Sequence, residues 1–259
     1  MARRTPGGGG GLNGIAPEEV LINLLAELIG PARHVAVGAA SPIPAAAALL
    51  ARERHGTRVT LLHSRRHNGF TDGSRELFDL AGQGRIDVFF LGGVQIDGRA
   101  NVNLVGTGDY PRMERRFPGS FGSAYLYYVV PRVILFREEH SPRSLVERVA
   151  FVSAPGTSAA ELYRPGGPSH LLTSLAAFGF DRQAGRFRLE AHAVGTSVPA
   201  IEAATGFVFD VAPDVAVFGT PSEATLATLR GPVAAALAES YPVFAARVFA
   251  TMASAAASA

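Results

Sequence analysis

HVAVGAASPIPAAAALLARERHGTRVTLL, residues 34–62, is the stretch that decides the fold. HVAVG is a short apolar run ended by Gly38, the composition of a strand covered on both faces. SPIPAAAALLARERHG reads as a loop and then a helix closed by Gly56, and RVTLL reads as a second strand. Two neighbouring strands joined through a helix run parallel, because a parallel connection needs a crossover of a dozen or more residues. The stretch is therefore a βαβ unit.

Working outward, Pro17, Glu18 and Glu19 open a helix at the end where the macrodipole favours acids. Residues 20–29 carry apolar side chains at helical spacing, and Gly30-Pro31 stops them. Downstream, a short helix over 74–81 leads into IDVFFLGG (86–93), an apolar strand. LYYVVPRVILF (126–136) reads as strand interrupted at Pro131, and RVAFVSAPG (148–156) as a further strand. AAFGFDRQAGRFRLEAHA (176–193) reads as two strands around a turn at Asp181 to Gly185. TPSEATLATLRGP (220–232) is a capped helix with Pro221 near its start, and the Ala-rich end after Gly231 reads as one helix. The expected architecture is α/β: an open, mostly parallel sheet flanked by helices, one domain over 16–250. A flexible Gly-rich tail (1–15) and a fraying Ala-rich tail (251–259) are expected on either side.

Composition removes whole classes of chemistry. All 24 basic residues are arginine, so no lysine can form a Schiff base or serve a phosphate loop. The chain has no cysteine, hence no thiolate nucleophile, disulfide or zinc–thiolate site. A net charge of +2 suggests no nucleic-acid partner. Arg3-Arg4 hints at an export signal, but glycines 7 to 11 stand where an apolar region is required, so a cytoplasmic location is expected. No apolar run approaches the roughly 20 residues of a membrane span, and no membrane partner is expected.

Local motifs narrow the field further. GQGRID precedes a strand and lacks the third glycine of a dinucleotide fingerprint. PGSFGS has the wrong spacing for a nucleophile elbow. His63 and His67 stand four apart, but Asn68-Gly69 marks a loop and no third ligand is evident, so no metal is expected. The informative centre is FFLGGVQIDGRANVNLVGTGDYPRMERRFPGSFGSAYL (89–126), where a buried strand runs into glycines set among Gln, Asn and Asp. Such a composition suits close approach of backbone to a ligand.

GGVQIDGRANVN, GTGDYPRMERRFPGSFGSA and FVSAPG resemble, in order and spacing, the β subunit of the glutaconate-type family I CoA-transferases. VGAASPIPAAAALLA, GPSHLLTS, ATGFVFDV and PSEATLATLR extend the resemblance over about residues 16–230. It implies the CoA-transferase fold, an α-like subunit as partner, an acyl-CoA thioester as substrate, and no permanently bound cofactor beyond coenzyme A as a substrate. In that family a glutamate at the end of the second strand, in a strand-Glu-Ser/Asn-Gly pattern, attacks the thioester. Ungapped counting puts that position at Leu62, and a one-residue slip at His63; neither can form an anhydride.

The catalytic residue is therefore unassigned, with His63, His67 and Asp72 as the nearest candidates and Glu76 a little further on. Three readings stay open at this level: a true transferase with its nucleophile elsewhere; a hydrolase of the steroid ring-cleaving type with the reactive carboxylate on the α subunit; and a non-catalytic stabilising subunit. Arg65 and Arg66 can bind an anion bidentately. Gly119, Ser120, Phe121 and Gly122 match the family's Gly-Ser-Gly-Gly loop, whose N–H groups face the thioester carbonyl, with Phe121 departing from glycine. Gly38, Gly92, Gly93, Gln95, Asn101 and Asn103 complete the expected substrate and CoA contacts. Asn and Asp in such a segment, Asp97 and Asp109 included, equally suit holding the loop together.

Overall fold

Pro17 starts helix α1 (Pro17–Ile29) in the computed structural model, which describes residues 14–249. The expected tails, 1–15 and 251–259, lie outside the described residues apart from Gly14 and Ile15. The Ala16 N–H donates to the Glu19 carboxylate at 2.9 Å, occupying an amide that the helix itself leaves without a partner. The βαβ unit follows as β1 (His34–Val37), α2 (Pro42–His55) and β2 (Arg58–Leu61), with β1 and β2 parallel. Helix α3 (Gly73–Gly82) then crosses to β3 (Val88–Leu91), which pairs with the other side of β1.

Beyond β3 the chain makes short pieces before rejoining the sheet: β4 (Gln95–Asp97), β5 (Val102–Asn103), β6 (Gly106–Thr107), β7 (Arg115–Arg116) and α4 (Ser123–Val129). Strand β8 (Arg132–Arg137), the short β9 (Leu145–Val146), β10 (Pro168–Thr173), β11 (Ala176–Asp181) and β12 (Arg186–His192) come next. Then follow α5 (Val198–Ala204), β13 (Asp210–Val217), α6 (Glu223–Thr228), α7 (Ala234–Ala238) and α8 (Pro242–Phe249). Eight strands form one sheet in the order β13-β12-β11-β10-β8-β3-β1-β2, antiparallel only at β10-β11 and β11-β12. This is the open, mostly parallel sheet that the sequence predicts.

Alternation along the strands splits the core in two. Val35, Val37, Val88 and Phe90 face α1, α2, α7 and α8, while Ala36, Phe89 and Leu91 face α3 and α4. Each sheet edge has its own cover. At β2 the chain doubles back, and the Leu61 N–H donates to the His67 carbonyl at 3.0 Å. At β13, exposed along most of its length, Pro213 interrupts the row of donors. Among the described residues, no helix is long and apolar enough to cross a membrane.

Three expectations need correction. LYYVV is not strand but most of α4, whose Leu126 and Tyr127 are buried; Val130 then turns extended before Pro131 and the strand begins after it. RVAFVSAPG forms no strand, only a bridge between Ala154 and Val102. Three of its N–H groups go to side chains, Val149 to Asp97 at 3.4 Å, Ala150 to Gln95 at 2.9 Å and Gly156 to Asn101 at 3.1 Å, while Ser153 and Ala154 both donate to the Val102 carbonyl. The Ala-rich end is two helices, α7 and α8, because Pro242 lacks the N–H that a continuous helix needs there.

Candidate active site

The chain reverses direction across the sheet at β1, with β2 on one side and β3 on the other, and the loops leaving β1 and β3 part there. Ligands of open α/β sheets collect at such a point, off the carboxyl ends of the strands. Here it opens into a cleft of about 840 Å³. Ala40, Ser41 and Pro42 at the start of α2 form one wall, Gly92-Gly93 after β3 and Arg137 to Glu139 after β8 form another, and Phe244 and Arg247 of α8 close it. The glycine pair is required by packing: a Cβ at Gly92 would lie 2.8 Å from the Phe136 carbonyl, and one at Gly93 would lie 2.7 Å from the Asn103 carbonyl.

Three of the four charged side chains lining the cleft, Arg137, Glu139 and Arg247, are paired, and Glu138 stands beside them. Arg137 donates to the Gly93 carbonyl at 2.7 Å and to Glu139 at 2.8 Å. The Ser141 hydroxyl, with Arg137 and Arg143, holds the Glu139 carboxyl down to about 2. Arg247 lies over the Phe244 ring and pairs with Glu18 at 2.5 Å.

The segment after β2 is an organised turn, not an open cluster of cations. Ser64, 4% exposed, accepts from the Arg66 and His67 N–H groups at 3.1 and 2.8 Å. Its hydroxyl donates to Glu239 at 2.6 Å, and the Arg65 N–H donates to the same carboxylate at 3.0 Å. His63 stacks on Tyr241 with ring centroids 5.5 Å apart. His67 is half-buried, its Nε2 has no hydrogen-bond partner, and burial, then Arg52 and Arg66, hold its pKa below the usual imidazole value. Leu62 packs against the core on the α3 face.

The neighbouring carboxylates are occupied. Asp72 pairs with Arg75 at 3.2 Å on the surface, and Glu76 accepts from the Thr71 N–H at 2.7 Å, which with the Asp72 N–H lowers its pKa.

The polar segment after Gly93 folds on itself. Asn103, fully buried, donates to Gln95 at 2.8 Å and to the Gly106 carbonyl at 2.6 Å, and accepts from the Val105 and Gly106 N–H groups. Asn101 donates to Asp97 at 3.1 Å and accepts from the Gly156 N–H at 3.1 Å. Gly119 stands against Leu104, and Gly122 caps α4 at φ +61° beside the Phe78 ring. Phe121, 73% exposed, tilts onto Phe78 with centroids 5.7 Å apart.

The structure thus gathers Gly92 and Gly93 at the cleft, with Gly38 leading into its α2 wall. Leu62, Phe78 and Leu104 pack against the opposite core, so the 119–122 loop stands on that face. Sequence reasoning passed over Ser64, Arg137, Glu239, Tyr241, Phe244 and Arg247. Among the described residues, no group of three or more His, Cys, Asp or Glu side chains is arranged to hold a metal ion.

This chain belongs to the coenzyme A transferase family, whose sequence model matches residues 59–203, from β2 into α5. It is similar to the B-type subunit of 3-oxoadipate CoA-transferase from Pseudomonas knackmussii, 29% identical over 153 residues, 57% of this chain and 58% of that one. It is also similar to the B-type subunit of glutaconate CoA-transferase from Acidaminococcus fermentans, 31% identical over 144 residues, 50% of this chain and 53% of that one. The matches span little more than half the length of these curated relatives. Among solved structures, the decarboxylase AibA/AibB superposes with a TM-score of 0.73 at 27% identity, over 85% of this chain and 98% of that chain.

Proposed function

We propose that the chain is the β-like subunit of a heteromeric CoA-transferase-family enzyme that acts on an acyl-CoA thioester, with an α-like subunit as partner and coenzyme A as substrate. The observation that carries this reading is the cleft: the family-matched segment brings Gly92-Gly93 to the rim of a space within the usual few hundred to about 1,000 Å³ of a ligand pocket. Backbone approaches closely there, while Ile43, Phe90 and Phe244 offer apolar surface and Ser41 and Ser174 hydroxyls.

At the end of β2 this chain presents Leu62, packed on apolar neighbours, and His63, stacked on Tyr241. With Asp72 and Glu76 engaged locally, Glu239 bonded to Ser64 and Glu139 held by Arg137 and Arg143, the reacting carboxylate is assigned to the partner subunit and this chain supplies binding surface; Glu138 on the cleft wall is the carboxylate of this chain against which that assignment is tested. The names of the similar proteins, two CoA-transferases and a decarboxylase, fit a fold that carries more than one reaction of such substrates.

The test is to purify the chain alone and co-expressed with an α-like subunit, supply glutaconyl-CoA with acetate as acceptor acid, and follow glutaconyl-CoA, acetyl-CoA and free CoA by mass spectrometry, with free CoA in place of acetyl-CoA marking hydrolysis. Turnover by the complex alone is expected, with no borohydride-trapped adduct on this chain. An adduct mapped to Glu76, Glu239 or another carboxylate here overturns the assignment, and full turnover by the single chain overturns the need for a partner.

A further inference from the structure

Two residues at the α7–α8 turn tie together the loops that leave β1 and β2. Glu239 takes the Ser64 hydroxyl on one carboxylate oxygen and the Arg65 N–H on the other. Two positions on, Tyr241 accepts the Ser41 N–H at 3.3 Å through its hydroxyl and stacks its ring on His63. Ser41 is a cleft wall residue, and α8, which starts directly after Tyr241, contributes Phe244 and Arg247 to the same cleft. All of α7 and α8 lies outside the family-matched segment.

We infer that the α7–α8 turn is a clamp for the ligand cleft, with Glu239 the positioning residue that holds the 62–68 turn and Tyr241 the one that holds the start of α2. The inference rests on the reading of the cleft as an acyl-CoA site. Anchoring of α8 supports it: Leu237, Ala245, Val248 and Phe249 are buried in the core under α2, so the turn is fixed from below while its polar groups reach upward. Charge supports it as well. The Ser240 and Ser64 hydroxyls keep the Glu239 carboxyl down at about 2, so the acceptor is ionised at neutral pH. A carboxylate accepting an O–H and an N–H at these distances makes charge-assisted hydrogen bonds, stronger than neutral ones, and a clamp of this kind orders a loop without touching the ligand.

The experiment compares the full-length chain with Glu239→Ala, Glu239→Gln and Ser64→Ala by amide hydrogen exchange, and titrates each with coenzyme A by calorimetry. Glu239→Ala and Ser64→Ala are expected to speed exchange at least about tenfold in the peptide covering 61–70, with the strands β3, β8 and β10 unchanged. They should also weaken CoA binding about fivefold. Glu239→Gln, which keeps one of the two acceptor oxygens and none of the charge, should fall between wild type and Glu239→Ala in both. Exchange that is unaltered in 61–70, or raised evenly across the sheet, overturns the clamp, as does CoA binding that stays at the wild-type value in both alanine variants. Failure of the wild-type chain to bind CoA at all instead overturns the reading of the cleft, while the exchange result still decides whether Glu239 holds the turn.

Discussion

Replacing Asn103 with alanine separates a structural hub from a ligand contact. The side chain makes four hydrogen bonds at full burial: to Gln95, to the Gly106 carbonyl, and from the Val105 and Gly106 N–H groups. A hydrogen bond contributes about 1 kcal/mol net, and a buried group left without its partner costs about 1–3 kcal/mol. Alanine would orphan two backbone donors and a carbonyl, so a loss of about 3–4 kcal/mol is expected. For a chain of this size that lowers Tm by roughly 6–16 °C. Asn103→Asp should be no better, because a carboxylate keeps the two acceptor roles but sets like partial charge against the Gly106 carbonyl. Urea denaturation, with unchanged m-values checked, reads the loss, and CoA titration runs beside it. A loss under about 1 kcal/mol together with collapsed CoA affinity would refute the reasoning and make Asn103 a ligand contact instead.

Further outcomes follow from the same geometry. His140 sits between the Thr173 and Thr205 hydroxyls, and burial pushes its pKa down to about 4 from 6.5. Its folded form resists the proton that the unfolded chain accepts, so stability is whole above pH 6.5 and falls by about 3 kcal/mol as pH drops through 4. Denaturation midpoints measured from pH 7 to 4 should show that slope, and His140→Gln should flatten it. Gly122→Ala places a Cβ at positive φ and against the Phe78 ring, so it should destabilise by more than about 1 kcal/mol in thermal melts. Leu62→Glu puts a carboxylate where the family expects one; a thioester adduct gained by that variant in the complex supports the ungapped count, and its absence under active conditions moves the position elsewhere.

Much of the fold was legible because proline and glycine punctuate it. Pro17, Gly30 and Gly56 mark helix boundaries where the structure has them, although α2 already starts at Pro42 within the stretch read as loop, and strand β3 reads as an unbroken apolar run. LYYVV misled because aromatic and β-branched residues favour strands in isolation, whereas burial of Leu126 and Tyr127 against the α3-side core decides for a helix. The turn after β2 was legible as polar but not as closed. Ser64 meets Glu239 across 175 positions, and neither periodicity nor motif carries a contact of that range. The polar centre at 95–103 was legible in both its possible uses, and the hydrogen bonds of Asn101 and Asn103 show the loop-holding use.

The two ends of the large sheet bear on how this chain behaves when it is alone. An open sheet offers two rows of unpaired backbone groups, each a template for another molecule's strand. Here one row is shielded by the chain's own return at His67, and the other is broken by Pro213, with Asp210 and Asp214 adding charge beside it. The shields differ in kind. Pro213 is covalent and permanent, but the return at His67 lasts only while the 62–68 turn stays folded. Loosening that turn uncovers the β2 edge, so the hydrogen bonds that close the 62–68 turn also shield that edge from a strand of another copy.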